Sequence, residues 1–177
     1  MVWLRWFLLG LVAGLGALGF IWRGSFGTGA VGSDFVARVN EAAVRRPSPD
    51  IFTVRDVTIG GDTRRSITMA QASRIAWDQV IPEGAWLDVS FGVPEEAGTT
   101  PAGGVRFRVG LSFDGHYEEF VTQVVDPHTD PADRHWRSVR VDLSPFAGRT
   151  VSLIFNTAPA GDTPALGAWA VLRLMAR

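Results

Sequence analysis

Along "VRFRVGLSF", from Val105 to Phe113, apolar and other residues alternate without a break. Val105, Phe107, Val109, Leu111 and Phe113 fall on one face, and Arg106, Arg108, Gly110 and Ser112 on the other. Only a strand with one packed face and one wet face satisfies that period. The same period of two recurs in "IFTVRDVTI", "RRSITM", "SRIAWDQV", "AWLDVSFGV", "YEEFVTQVV", "WRSVRVDL", "VSLIFNT" and "AWAVLRLM", each bounded by Gly, Pro or Asp clusters. No crossover helix separates these runs, so the sheets are expected to be mainly antiparallel. Residues 51–177 are accordingly expected to form one β-sandwich with its core on the Phe107/Val109/Leu111 face.

The longest patterned stretch is "HWRSVRVDLSPFAGRTVSLIFNT". Val139, Val141 and Leu143 end one strand, with Trp136 brought into phase by a slight irregularity. Pro145 and Gly148 turn the chain, Phe146 tucks inward, and Val151, Leu153 and Phe155 resume the core face. "VDLSPFAGRTVSLIFNT" resembles the corner of galactose-binding-like jelly rolls. "SRIAWDQVIPEGAWLDVSFGV" is similar to a strand pair in such domains appended to bacterial membrane-anchored or exported proteins. The resemblance spans roughly Ile51 to Arg177 and implies a jelly-roll-like sandwich. Such sandwiches serve sugar binding, protein binding and structural roles alike, often with a structural calcium, so the fold does not choose among them.

At the other end, "WLRWFLLGLVAGLGALGFIWR" carries no charge from Trp6 to Trp22. As a helix it reaches roughly 25 Å, the short end of a membrane span. Arg5 and Arg23 can snorkel to the two interfaces, and Trp3, Trp6 and Trp22 sit at belt positions. Residues 1–23 are expected to be a single-pass anchor in the lipid of the inner membrane, with a cytoplasmic amino end and the sandwich in the periplasm. A cleaved signal peptide is the competing reading. Gly10, Gly14 and Gly16 give the anchor a smooth face against which a partner helix could dock. Residues 24–50 are expected to be a glycine-rich spacer and then a short juxtamembrane helix. Ser33 would cap it, Phe35, Val36, Val39, Ala42 and Ala43 recur at helical spacing, and "RRPSP" ends it near Arg45.

Composition removes several functions. The net charge is −1 with 20% charged residues, so no global field attracts nucleic acid. All 17 basic residues are arginine and cysteine is absent, which excludes lysine and thiolate nucleophiles. No serine sits in a G-x-S-x-G elbow, and neither His116 nor His128 stands in a context that marks a base. A non-enzyme without cofactor is expected. The loop "DPHTDPADRHW" gathers Asp126, His128, Asp130, Asp133 and His135, side chains that can bind a cation, but their spacing fits no compact metal motif, and no metal is expected. Trp77 and Trp86, near sheet ends, are the candidate glycan platforms, with Asp78, Asp88, Arg106 and Arg108 as polar partners. Two functions remain. The first is a non-catalytic accessory subunit docked on an integral membrane protein complex of respiratory or photosynthetic type. The alternative is a membrane-tethered carbohydrate-binding module.

Overall fold

The computed structural model describes residues 32–97, 104–162 and 166–177. Every run of period two becomes a strand: β3 (Thr53–Ile59), β4 (Asp62–Met69), β5 (Ser73–Val80), β6 (Trp86–Gly92), β7 (Val105–Phe113), β8 (His116–Val125), β9 (Arg137–Asp142), β10 (Thr150–Pro159) and β11 (Gly167–Met175). Two short strands, β1 (Gly32–Asp34) and β2 (Val44–Arg46), precede them. One sheet runs β3-β4-β11-β6-β9 with β1 also on β11, the other β2-β5-β10-β7-β8, and every pairing is antiparallel. The result is an antiparallel β-sandwich, as the alternation requires.

The helix expected from Ser33 to Arg45 does not form. Asp34 rather than Ser33 initiates the turn: its Oδ1 accepts from the amides of Val36 at 3.0 Å and Ala37 at 3.4 Å. One 3-10 turn, Val39–Glu41, follows. Phe35, Val36 and Val39 are buried, so the pattern identified the inward residues but not the backbone. The backbone is decided by the sheets, because β11 and β5 each offer an unpaired edge to its two ends. Among the described residues no helix is long and apolar enough to cross a membrane. The expected anchor, with Gly10, Gly14 and Gly16, lies outside those residues.

The inner faces meet in a chain of rings. Trp169 of β11 stands 5.0 Å from Phe107, 5.4 Å from Phe91 and 5.5 Å from Phe155. Phe155 leads on to Trp77 at 5.9 Å, and Trp77 to Phe35 at 5.0 Å. Tilted and edge-on contacts of this kind suit ring quadrupoles and add to the burial of apolar area. Val141, Leu143, Phe146, Val151, Leu153 and Phe155 are buried, so the 136–157 corner folds as read, except at Trp136. That residue keeps strict alternation with Ser138 and Arg140 and packs outside the six-stranded sheet, in a small cluster with Val57, Ile59 and Ala168. No irregularity brings it into the core. Its Nε1 donates to the Asp62 carbonyl at 2.9 Å, and Arg64 covers its ring.

Candidate functional site

The outer face of the five-stranded sheet forms a groove of about 570 Å³. Register builds it. Asn156 of β10 lies between Arg74 of β5 and Arg108 of β7, and Ile154 lies between Ala76 and Gly110. Side chains two residues apart share a face, so Arg106 and Arg108 flank one side of this floor. The Arg74 Nε donates to Asn156 Oδ1 at 2.8 Å, which fixes the amide.

A bulge forms the far wall. Val109 pairs with Val121 but Gly110 with Glu119, so Phe120 is an extra residue in β8. Phe120 packs toward Phe146 at 6.1 Å, while Tyr117 and Glu119 line the groove. Tyr117 lies across the bare backbone of Gly110: a Cβ there would stand 2.6 Å from the tyrosine hydroxyl and 2.7 Å from Cζ. Glycine is therefore required for close approach, and the ring, 49% exposed, keeps a surface open to solvent.

Burial, and then the negative charge of Glu119, raise the Tyr117 pKa. The phenol stays protonated and donates to Glu119 Oε2 at 3.2 Å. The other oxygen of Glu119 accepts from the Thr122 hydroxyl, and Arg108 Nε stands 3.9 Å from Oε2. Arg74 reaches an amide rather than an acid, and Arg106 makes no side-chain hydrogen bond or ion pair among the described residues. An apolar floor, an aromatic wall, a fixed amide and three guanidiniums thus converge on one concavity.

The expected platforms are placed differently. Trp77 is 1% exposed, and its Nε1 donates to the Arg38 carbonyl at 3.0 Å. It is a core residue and offers no surface to a ligand, because its position in β5 shares the inward face with Ile75. Trp86 does reach the surface, half-buried, but on the opposite sheet, with Arg140 5.2 Å above its ring and its Nε1 bonded to Asp88 at 3.0 Å. The structure does not bring the two tryptophans together. Asp88 is held below the ordinary carboxylate pKa, chiefly by the Arg140 hydrogen bond.

In the 126–135 loop the acids serve the loop itself. Asp126 Oδ1 accepts from the His128 amide at 3.1 Å, and Asp130 Oδ1 from the Ala132 amide at 2.8 Å. Buried Asp133 accepts from the Asp126 amide at 2.7 Å and from Arg137. Among the described residues no three such side chains stand close enough together to hold a metal ion. Of the polar residues singled out in the sequence, Arg106 and Arg108 are in the groove. Arg74, Tyr117, Asn156 and Gly110 were not recognised as site residues. Alternation gives their face, but only the strand order β5-β10-β7-β8 makes them neighbours.

No family model matches the chain. An uncharacterised protein of Archaeoglobus fulgidus is 32% identical over 106 residues, 59% of this chain and 27% of the relative, so the chain spans about a quarter of that protein's length. Among solved structures, the module CBM51 from Clostridium perfringens GH95, in complex with methyl-galactose, superposes with a TM-score of 0.54 at 15% identity over 81% of this chain and 99% of that one. CBM51-2 of Clostridium perfringens ZmpB, in complex with GlcNAc, gives 0.55 at 11% identity over 82% of this chain and 32% of that one. TmCBM61 in complex with β-1,4-galactotriose gives 0.51 at 11% identity over 79% and 93%. These neighbours are carbohydrate-binding modules, and identities this low speak for architecture alone. With its two antiparallel sheets and its corner at 136–157, the described part of the chain has the galactose-binding-like β-sandwich fold.

Proposed function

We propose that this chain is a carbohydrate-binding module that retains a sugar chain in the groove on its five-stranded sheet. The observation that carries the reading is the Tyr117 ring laid on Gly110 beside Asn156, Arg106 and Arg108. Sugar rings present apolar C–H faces and a rim of hydroxyls. A site for them needs an aromatic platform and fixed polar groups around it. The likeness to carbohydrate-binding modules supports this reading over docking on a membrane complex. Among the described residues Glu119 is the one carboxylate that lines the groove, where hydrolysis of a glycosidic bond uses a pair. The uncharged run from Trp6 to Trp22 supports a module tethered at the membrane with the sandwich outside the cytoplasm.

The test is affinity electrophoresis of the purified full-length chain through gels that contain neutral or acidic polysaccharides. Retardation by at least one glycan is expected, weakened by Tyr117→Ala and Asn156→Ala and unchanged by Arg140→Gln on the opposite sheet. Full retardation of both groove variants would refute the site, and free migration of the wild type through every gel would refute the function.

A further inference from the structure

The arginines of the sandwich are paired to different degrees, and Arg173, Arg65 and Arg149 stand 3.4, 3.7 and 3.9 Å from a carboxylate. Arg38, Arg55, Arg64, Arg137 and Arg140 each hold a carboxylate at 2.5–2.7 Å. On the groove face the pairing is loose. Arg74 has the Asn156 amide, Arg106 has no partner among the described residues, and Arg108 stands 3.9 Å from a carboxylate already engaged by Thr122 and Tyr117. Arg46, the register neighbour of Arg74, extends the strip onto β2. In a chain whose net charge is −1 this positive field is local. With three guanidiniums and the single carboxylate of Glu119 in the lining, positive charge is in excess there, and an anionic ligand offsets its mutual repulsion on binding.

Spacing narrows the ligand. Arg106 and Arg108 are two residues apart on one strand, about 7 Å, and Arg74 lies two strands from Arg108, about 10 Å. A ligand that meets all three carries several anionic groups along an extended chain. The guanidinium fork matches a planar carboxylate through two parallel hydrogen bonds. Tyr117 and Asn156 add stacking and amide contacts that a purely electrostatic surface for phosphate or lipid does not need. We infer that the groove selects a carboxylate-bearing sugar chain, a uronate-type polysaccharide, with Arg106 and Arg108 on successive carboxylates and Tyr117 under a ring. This rests on the carbohydrate-binding reading and sharpens it.

Polygalacturonate and its methyl-esterified form share a backbone and differ in charge, so they separate the two ideas. Alginate and hyaluronan widen the acidic panel, a neutral galactan serves the broader reading, and dextran sulfate supplies negative charge without carboxylates. Binding of the full-length protein to at least one uronate polymer is expected to weaken about tenfold or more in Arg106→Gln/Arg108→Gln and to fall with added salt. The esterified polymer should bind correspondingly less, and Arg140→Gln should leave binding unchanged while thermal melts verify folding of each variant. Equal binding of free and esterified polymer, or binding of the neutral galactan alone, overturns the inference and leaves the carbohydrate-binding function standing. Dextran sulfate bound as tightly as every uronate overturns it as well, since charge alone then suffices. Binding of no polysaccharide at all removes both.

Discussion

Nε1 of Trp169 donates a 2.8 Å hydrogen bond to Oγ1 of Thr157, so a buried indole on one sheet is tied to a buried hydroxyl on the other. Both residues are at most 2% exposed, and no water can replace either partner without opening the core. Thr157→Val keeps the shape and strands the indole N–H. The full-length protein should lose about 1–3 kcal/mol in denaturant titration. Trp169→Phe removes the donor as well, so the double variant should cost less than the sum of the two singles.

Phe107→Ala should cost about 3–5 kcal/mol, because the ring is fully buried against Phe91 at 4.8 Å and Trp169 at 5.0 Å, and its loss leaves a cavity. Arg108→Ala, one residue along but in the groove, should stay within about 0.5 kcal/mol. Equal shifts in the two titrations would contradict the assignment of faces.

Gly110→Ala tests the platform. The new Cβ meets the Glu118 carbonyl oxygen and the Tyr117 hydroxyl, both at 2.6 Å, and the ring carbon Cζ at 2.7 Å, so strand and ring must move. A loss of about 1–3 kcal/mol is expected, together with weaker glycan retention. Tyr117→Ala alone should reduce retention while the melting temperature stays close to wild type, since the ring is half exposed. A Tyr117→Ala protein that binds glycan normally would show that the ring is not a platform.

The Asp88–Arg140 pair predicts part of the acid limb of stability. Its partner depresses the folded pKa of Asp88 below the ordinary 3.8, so the unfolded chain binds a proton first as pH falls. The contribution is fully present above 3.8 and is lost as pH drops through the depressed folded value. Arg140→Gln should therefore lower the urea midpoint near neutrality and flatten its decline below about pH 4, so that variant and wild type converge in acid. An acid limb identical to wild type would mean that the pair does not contribute.

A chelator should leave the melting temperature of the full-length protein unchanged. Both oxygens of Asp133 and one each of Asp126 and Asp130 already accept from amides of their own loop or from Arg137, and no three such side chains among the described residues stand close enough to share a cation. A drop reversed by calcium would count against this, since a ligand bound only to the folded state raises its stability. Within the same loop Asp133→Ala should cost about 2–4 kcal/mol by leaving Arg137 and the Asp126 amide without their acceptor.

What the sequence made legible, and what it did not, follows from the range of each signal. Alternation is local, so the strands from Ile51 onward and the buried set Val105, Phe107, Val109 and Leu111 could be read directly. Phe35, Val36 and Val39 show the limit: they are spaced for a helix, yet two sheet edges outcompete a helix too short to be stable alone. Trp77 shows another. Its aromatic type suggested a platform, but its phase with Ile75 placed it inside. The groove was least accessible, because Arg74, Asn156, Arg108 and Tyr117 come from four strands whose lateral order is set by non-local pairing.

The segment 32–46 contributes a strand to each sheet, with Phe35 seated between them against Trp77. Mechanically it is a strap across the seam of the sandwich. Any pull on the chain ahead of Gly32 enters through the three bridged positions of β1 and then the three of β2, before it reaches the long central strands. Under load these short ladders part first and release Phe35 from its socket, while the β10–β7 pairing beneath the groove stays intact. On the proposed function, a glycan held there would remain gripped while the strap yields.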